Sequence, residues 1–225
     1  MKLLFFDMEF ANGQVKGSIY SLGYLITDEN FEILTPPTDL IINPECPWNE
    51  YVEQNILAYP KETVDAAPAF PMHYDAIKAL FESVDVAVGF AVSNDVKALK
   101  RDCDRYSLPL INYRWFDTER LCKNADKHSD ARGLDGCVRA WCGAEPENRH
   151  RSDGDAYATM LLLQAICKDT HATPEMLMIA YPECTGEALP PKKEKPKAEK
   201  PSPHKRRRHH RPKKKKTEKP QDGIA

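Results

Sequence analysis

The segment Leu3-Leu4-Phe5-Phe6-Asp7-Met8-Glu9-Phe10 reads as a core strand that carries two acids two residues apart. Alternate side chains of a strand share a face, so Asp7 and Glu9 point one way while Leu4, Phe6, Met8 and Phe10 point the other. Burying two like charges together costs several kcal/mol or forces protonation unless a cation neutralises them. The strand therefore borders a site that can take a metal ion, or it lies at a sheet edge with its acidic face in water.

The pattern that follows constrains the architecture. Asn12-Gly13 opens a turn, Ser18 to Thr27 has the aromatic and β-branched content of a second strand, and Asp28-Glu29-Asn30 turns into a third over Phe31 to Leu34, resumed at Leu40 to Asn43. Prolines 44, 47, 60, 68 and 71 punctuate the next stretch. A helix is then expected with Met72, Ile77, Leu80 and Phe81 near one face. Val84 to Val92 is nearly continuous in apolar character, as in a strand covered on both sides. A helix from about Asp95 places Val96, Leu99, Lys100 and Cys103 at helical spacing, and Leu110 to Phe116 is a fifth strand. Helices follow from Thr118, around Leu134 to Trp141, over Ala156 to Cys167, and after the Thr173-Pro174 cap. Three strands followed by alternating helices and strands indicate an α/β sandwich on a mixed sheet.

Charge divides the chain. Residues 186–225 hold fifteen Lys/Arg and five Asp/Glu, a net of +10, whereas 1–185 hold 17 and 29, a net of −12. The tail also holds seven of the eighteen prolines and few apolar residues, too little to offset the entropy of ordering. The expected organisation is one folded domain over 1–185 and a disordered basic tail over 186–225. Runs such as Lys205-Arg206-Arg207-Arg208 and Lys213 to Lys216 can neutralise phosphates and bind nucleic acid without sequence preference, or serve only as a solubilising tail. The seven cysteines show no Cys-x-x-Cys pair or zinc spacing, which suits core thiols in a reducing compartment. Asp7 and Glu9 interrupt the apolar start far short of a signal peptide, and no segment is long and apolar enough to span a membrane. A cytoplasmic protein without membrane partners is expected.

Three separate segments supply the candidate chemistry. Asp7 and Glu9 come from the first strand, Asp95 from a strand-to-helix junction, and His150 and Asp155 from the start of the long helix. Singly, His150 fits an exposed loop, and Asp95 or Asp153 a helix N-terminus where acids are favoured by the dipole. Together, four carboxylates and a histidine suit phosphodiester hydrolysis. Carboxylates are the hard oxygen ligands that Mg²⁺ or Mn²⁺ prefers, two such ions can clamp an in-line displacement, and imidazole can take a proton from water near neutral pH.

In order and context these residues resemble the DnaQ-like exonucleases of the DEDDh type, within the RNase H-like superfamily. Phe6-Asp7-Met8-Glu9 is similar to the first motif, Asp95 falls where the second-motif acid lies, and His150 with Asp155 matches the third; Phe116-Asp117-Thr118 with Leu121 and Gly133-Leu134-Asp135 add weaker likeness. The resemblance implies a three-layer sandwich with a mixed five-stranded sheet flanked by helices. It implies a 3′–5′ exonuclease that releases nucleoside monophosphates from single-stranded DNA or RNA ends. Asp7, Glu9 and Asp155 would hold the inner of two divalent ions, Asp7 would bridge to the second, Asp95 would help hold that one, and His150 would be the general base. Met8, Phe10 and Ala11 are the candidate substrate contacts. Where many relatives carry Gly-His-Asn before the second acid, this chain has Gly89-Phe90-Ala91, and Phe10-Ala11 stands where proofreading enzymes often carry threonines. Two rivals stand beside this reading: a non-catalytic nucleic-acid-binding module on the same fold, and a two-metal hydrolase of a small phosphodiester.

Overall fold

A computed structural model describes residues 1–125, 127–145 and 150–189. From residue 190 onward the expected tail lies outside the described residues.

The chain opens with three antiparallel strands, β1 (Lys2–Phe10), β2 (Ile19–Asp28) and β3 (Ile33–Ile41). The proline-punctuated stretch holds two short helices, α1 (Glu50–Asn55) and α2 (Lys61–Asp65). Then come α3 (Phe70–Glu82), β4 (Val86–Gly89), α4 (Ser93–Arg105), β5 (Arg114–Asp117), α5 (Thr118–Asn124), α6 (Gly133–Cys142), α7 (Ser152–Thr170) and α8 (Pro174–Ala180). A 3-10 turn, Pro182–Cys184, leads into β6 (Thr185–Glu187). The strands run β3-β2-β1-β4-β5-β6, with β4 parallel to β1 and β5 and the remaining pairs antiparallel.

The alternation read in β1 is what divides the core. Leu3 and Phe5, with Val86 and Val88 of β4, pack under α5, α6, α7 and α8 through residues such as Leu121, Val138, Leu162, Leu163 and Leu177. Leu4, Phe6 and Met8, with Ala87, pack on the opposite face against Phe70, Tyr74, Ile77 and Phe81 of α3 and Leu99 and Cys103 of α4. Both faces of β4 are covered, which explains its apolar run. On α3 the buried stripe is Phe70, Tyr74, Ile77 and Phe81, and Met72, expected on that face, is 79% exposed. Ile77 and Phe81 lie on the face as expected, while Phe70 and Tyr74, which continue the i, i+4 and i, i+3 spacing toward the start of the helix, take the place of Met72.

Among the described residues the sheet has six strands rather than the five expected. Thr185-Gly186-Glu187 carries no apolar alternation, and its strand arises from pairing with Arg114, Trp115 and Phe116. The Trp115 ring lies over Gly186, where a Cβ would fall 2.2 Å from the indole. The sheet thus takes in two residues beyond the boundary expected at 185. At the opposite edge, Pro36 and Pro37 sit in β3, which tolerates them because an edge strand has an unpaired side.

One contact in the outer half of the sheet places α7. Asp7, Gly23 and Asp39 are register partners across β1, β2 and β3 and form one row on the α7 face. The first peptide of α7 rests directly on Gly23: a Cβ there would lie 1.8 Å from the carbonyl carbon of Ser152 and 2.0 Å from the nitrogen of Asp153. Backbone contact this close admits only glycine. Gly23→Ala is expected to lift α7 off the sheet and destabilise the domain by about 3 kcal/mol, read from the midpoint of denaturant unfolding; an unshifted midpoint would contradict the seat.

Candidate metal centre and active site

Because β1, β4 and β5 are parallel, their carboxyl ends lie along one edge of the sheet, where open α/β sheets place their sites. Asp7 and Glu9 are near the end of β1, on the face opposite Phe6 and Met8, as the alternation predicts. Asp155 is the fourth residue of α7 and comes down on the same face from above the sheet. Carboxylate oxygens of Asp7, Glu9 and Asp155 all lie within 4.8 Å of one another. The three side chains keep partial access to solvent.

Asp95, in the first turn of α4, is buried and approaches from the other layer around the end of the sheet. It stands outside the three-acid group but within its field, accepting hydrogen bonds from its own N–H and that of Met8. His150, two residues before α7, adopts a left-handed backbone with φ 62°, a region in which histidine is among the more tolerant residues. It lines a cavity of about 280 Å³ together with Asp155, Arg132, Gly133, Leu134, Asp135 and Arg139. Asp155 therefore belongs to both the acid cluster and the histidine cavity, and the Gly133-Leu134-Asp135 segment forms the facing wall.

The side chains of Met8 and Ala11 are buried in the core. Phe10 is half-buried and borders a cleft of about 340 Å³ with Asn94, Lys97 and Arg101. Asp117 caps α5 by accepting from the N–H groups of Glu119 and Arg120 and also from that of Ala91, a structural role. Asp102 likewise accepts from Ile19 N–H.

Asp39 is the site residue that the sequence reading missed. It follows Thr35-Pro36-Pro37-Thr38, where no regular alternation assigns it a face. Its Oδ1 accepts hydrogen bonds from Ser21 Oγ at 3.1 Å and Ser152 Oγ at 2.6 Å.

Burial and mutual repulsion dominate the electrostatics of Asp7 and Glu9. Burial, followed by repulsion from Asp95, Glu9, Asp155 and Asp39, holds the Asp7 carboxyl well above the usual range. Burial, then Asp155 and Asp39, pushes Glu9 up to about 8. Burial also raises Asp95, opposed by its backbone hydrogen bonds and reinforced by Glu9 and Asp117. Two carboxylates about 5 Å apart repel by roughly 3 kcal/mol at an effective dielectric near 20, and a divalent cation among them reverses the sign. Partly accessible hard oxygens in this number suit such a cation.

No family model matches the chain, and no curated protein matches it. Among solved structures, a 3′-exonuclease described in 3′-end-specific recognition of a histone mRNA stem-loop aligns over 76% of this chain and 84% of its own, with TM-score 0.65 and 12% identity. The nuclease domain of 3′hExo, a DEDDh family member bound to rAMP, aligns over 75% and 92%, with TM-score 0.63 and 13% identity. Escherichia coli exonuclease I in complex with a dA16 oligonucleotide aligns over 80% of this chain and 43% of its own, with TM-score 0.63 and 18% identity. The fold is that of the DnaQ-like 3′-exonucleases. None of the described helices is long and apolar enough to cross a membrane.

The raised carboxyls define a pH dependence. Glu9 titrates at 4.5 when unhindered and at about 8 in the fold, so between these values the folded state holds a proton that the unfolded chain has lost. The metal-free domain therefore loses stability as pH rises through that window, with Asp7 and Asp95 acting in the same sense. A cation would bind the deprotonated cluster, so Mn²⁺ is expected to bind more tightly as pH rises and to release protons. Calorimetry in two buffers of different ionisation enthalpy measures this; binding without proton release would contradict it.

Proposed function

We propose that this chain is a metal-dependent 3′–5′ exonuclease acting on single-stranded ends of DNA or RNA and releasing nucleoside monophosphates. The observation that carries the reading is the convergence of Asp7, Glu9 and Asp155 within 4.8 Å, with His150 lining the cavity that Asp155 shares. It occurs on a fold shared with 3′-exonucleases.

In this reading Asp7, Glu9 and Asp155 would hold one divalent ion, and Asp7 and Asp95 would help hold a second. When bound, Mg²⁺ or Mn²⁺ ions supply Lewis-acid polarisation of the phosphate and neutralise charge on the attacking and leaving oxygens. His150 takes the proton of the attacking water through a ring nitrogen, a general-base role that imidazole fills more often than any other side chain. Its exposed position on a loop lets it meet that water as substrate seats. Asp7 and Glu9, fixed on a central strand, keep the ligand oxygens from spreading under mutual repulsion.

The partly exposed Phe10 offers a ring for the terminal base, since stacking is tolerant of sequence. The buried side chains of Met8 and Ala11 leave their main chain as the part able to meet the nucleotide. Arg132 and Arg139 line the cavity shared with His150, and Arg132, with Arg139 once drawn from its Glu145 partner, would offer positive charge to a phosphate of the strand. The basic tail adds sequence-independent affinity that weakens as salt rises.

End-labelled single-stranded DNA and RNA, incubated with the protein and Mn²⁺, should give a ladder that shortens from the 3′ end. Asp7→Asn should lower the rate by roughly 10³-fold, equivalent to about 4 kcal/mol, while strand binding persists. Binding without degradation by the unaltered protein, or undiminished degradation by the variant, would overturn the proposal.

A further inference from the structure

The long helix α7 carries Asp155 on its fourth residue and follows His150 by two, so its placement sets both groups. A helix that slides by one residue moves its side chains by 1.5 Å and turns them by 100°. The Gly23 contact limits how closely α7 approaches the sheet, but a repulsive contact cannot stop it from sliding or turning. An attractive tie is needed, and α7 has no cap of the usual kind: Arg151 at its N-cap makes no side-chain cap hydrogen bond.

The tie comes from β3. Asp39 Oδ1 accepts from Ser152 Oγ, the hydroxyl of the first residue of α7, at 2.6 Å. The same oxygen accepts from Ser21 Oγ on β2 at 3.1 Å, and the two serine hydroxyls also meet each other. Ser21 and Ser152 are fully buried, and the Asp39 side chain is 8% exposed. Arg151 lies against Asp39 Oδ2 at 3.8 Å, pairs with Asp153 at 3.2 Å, and is backed by the Tyr59 ring at 5.4 Å. Ser21 is the register partner of Glu9, and Asp39 lies in the row of Asp7 and Gly23. The network thus ties α7 to the strands at the level of the two β1 acids.

Stability alone does not account for a carboxylate at this point. Asp39 adds negative charge beside Asp7 and Glu9, and a buried charge is a weak source of stability when its neighbours repel it. Its favourable partners are the two hydroxyls, Arg151 and the positive N-terminal end of α7. All but the Ser21 hydroxyl, which lies on β2, belong to the start of α7.

We propose that Asp39 is a positioning residue: through Ser152 and Ser21 its carboxylate fastens the start of α7 to the sheet and so sets Asp155 and His150 against Asp7 and Glu9. The effect on turnover rests on the exonuclease reading above. The effect on α7 does not.

Asp39→Ala, Asp39→Asn, Ser152→Ala and the double variant Asp39→Ala/Ser152→Ala separate the possibilities. Asp39→Ala and Ser152→Ala should each lower kcat on single-stranded DNA by about 10- to 100-fold while KM moves less than about threefold. The double variant should be no worse than the more impaired single one, because both remove one tie. Asp39→Asn keeps an oxygen that can accept from the hydroxyls, so it should stay within about threefold of the unaltered protein. Hydrogen exchange at the amides of Asp155 to Thr159 should speed up in Asp39→Ala, with the amides of α3 unchanged. Additive losses in the double variant, an Asp39→Asn protein as impaired as Asp39→Ala, or unchanged exchange in α7 would each overturn the proposal. If the unaltered protein lacks nuclease activity, the exonuclease reading fails, and the exchange rates together with Mn²⁺ affinity across the same variants still decide the role of Asp39. If Asp39→Ala does not fold, Ser152→Ala and Asp39→Asn decide it.

Discussion

The contact between Gly23 and the Ser152–Asp153 peptide is the constraint from which the site follows. Sheet and helix side chains normally hold a helix well clear of the strands it covers. At this one position the absent side chain lets the backbone of α7 reach the sheet. The approach brings Asp155, three residues on, into the group formed by Asp7 and Glu9. It also brings Ser152 to Asp39 and leaves His150 at the mouth of the cavity that Asp155 lines. Residues far apart in the chain thus meet because one strand position is small.

What is assembled is electrostatically unfavourable by itself. Asp7, Glu9 and Asp95 all have carboxyls raised above their ordinary range by burial first and by neighbouring carboxylates, Asp155 and Asp39 among them, second. Strongly shifted acids gathered at one end of the sheet are the pattern expected of functional groups rather than of a stabilising network. The surrounding fold absorbs the cost through its two apolar layers. Leu3 and Phe5 anchor β1 on one face and Leu4, Phe6 and Met8 on the other, so repulsion at the end of the strand cannot easily move it.

Much of this was legible in the sequence, and the reasons for the exceptions are physical. Asp7 and Glu9 stood out because a period of two assigns faces without knowledge of the fold. The Val-rich β4, the α7 pattern and the Thr173-Pro174 cap were equally local signals; the Thr173 hydroxyl does accept from Met176 N–H. The convergence of Asp7, Glu9 and Asp155 was reached only through resemblance, since no local pattern states that two segments meet. Asp39 was lost because Pro36 and Pro37 hide the alternation of β3. β6 was lost because its three residues form a strand only through pairing with β5. Gly23 lies inside the aromatic and β-branched pattern of β2, and nothing local to that pattern signals the helix peptide packed on it.

The most direct test of the central claim is anomalous diffraction from crystals of the protein grown with Mn²⁺. A Mn²⁺ peak within about 2.5 Å of carboxylate oxygens from Asp7, Glu9 and Asp155 together is the expected result. A fully ordered cluster with no peak at millimolar Mn²⁺, or a peak held by other residues, would contradict it.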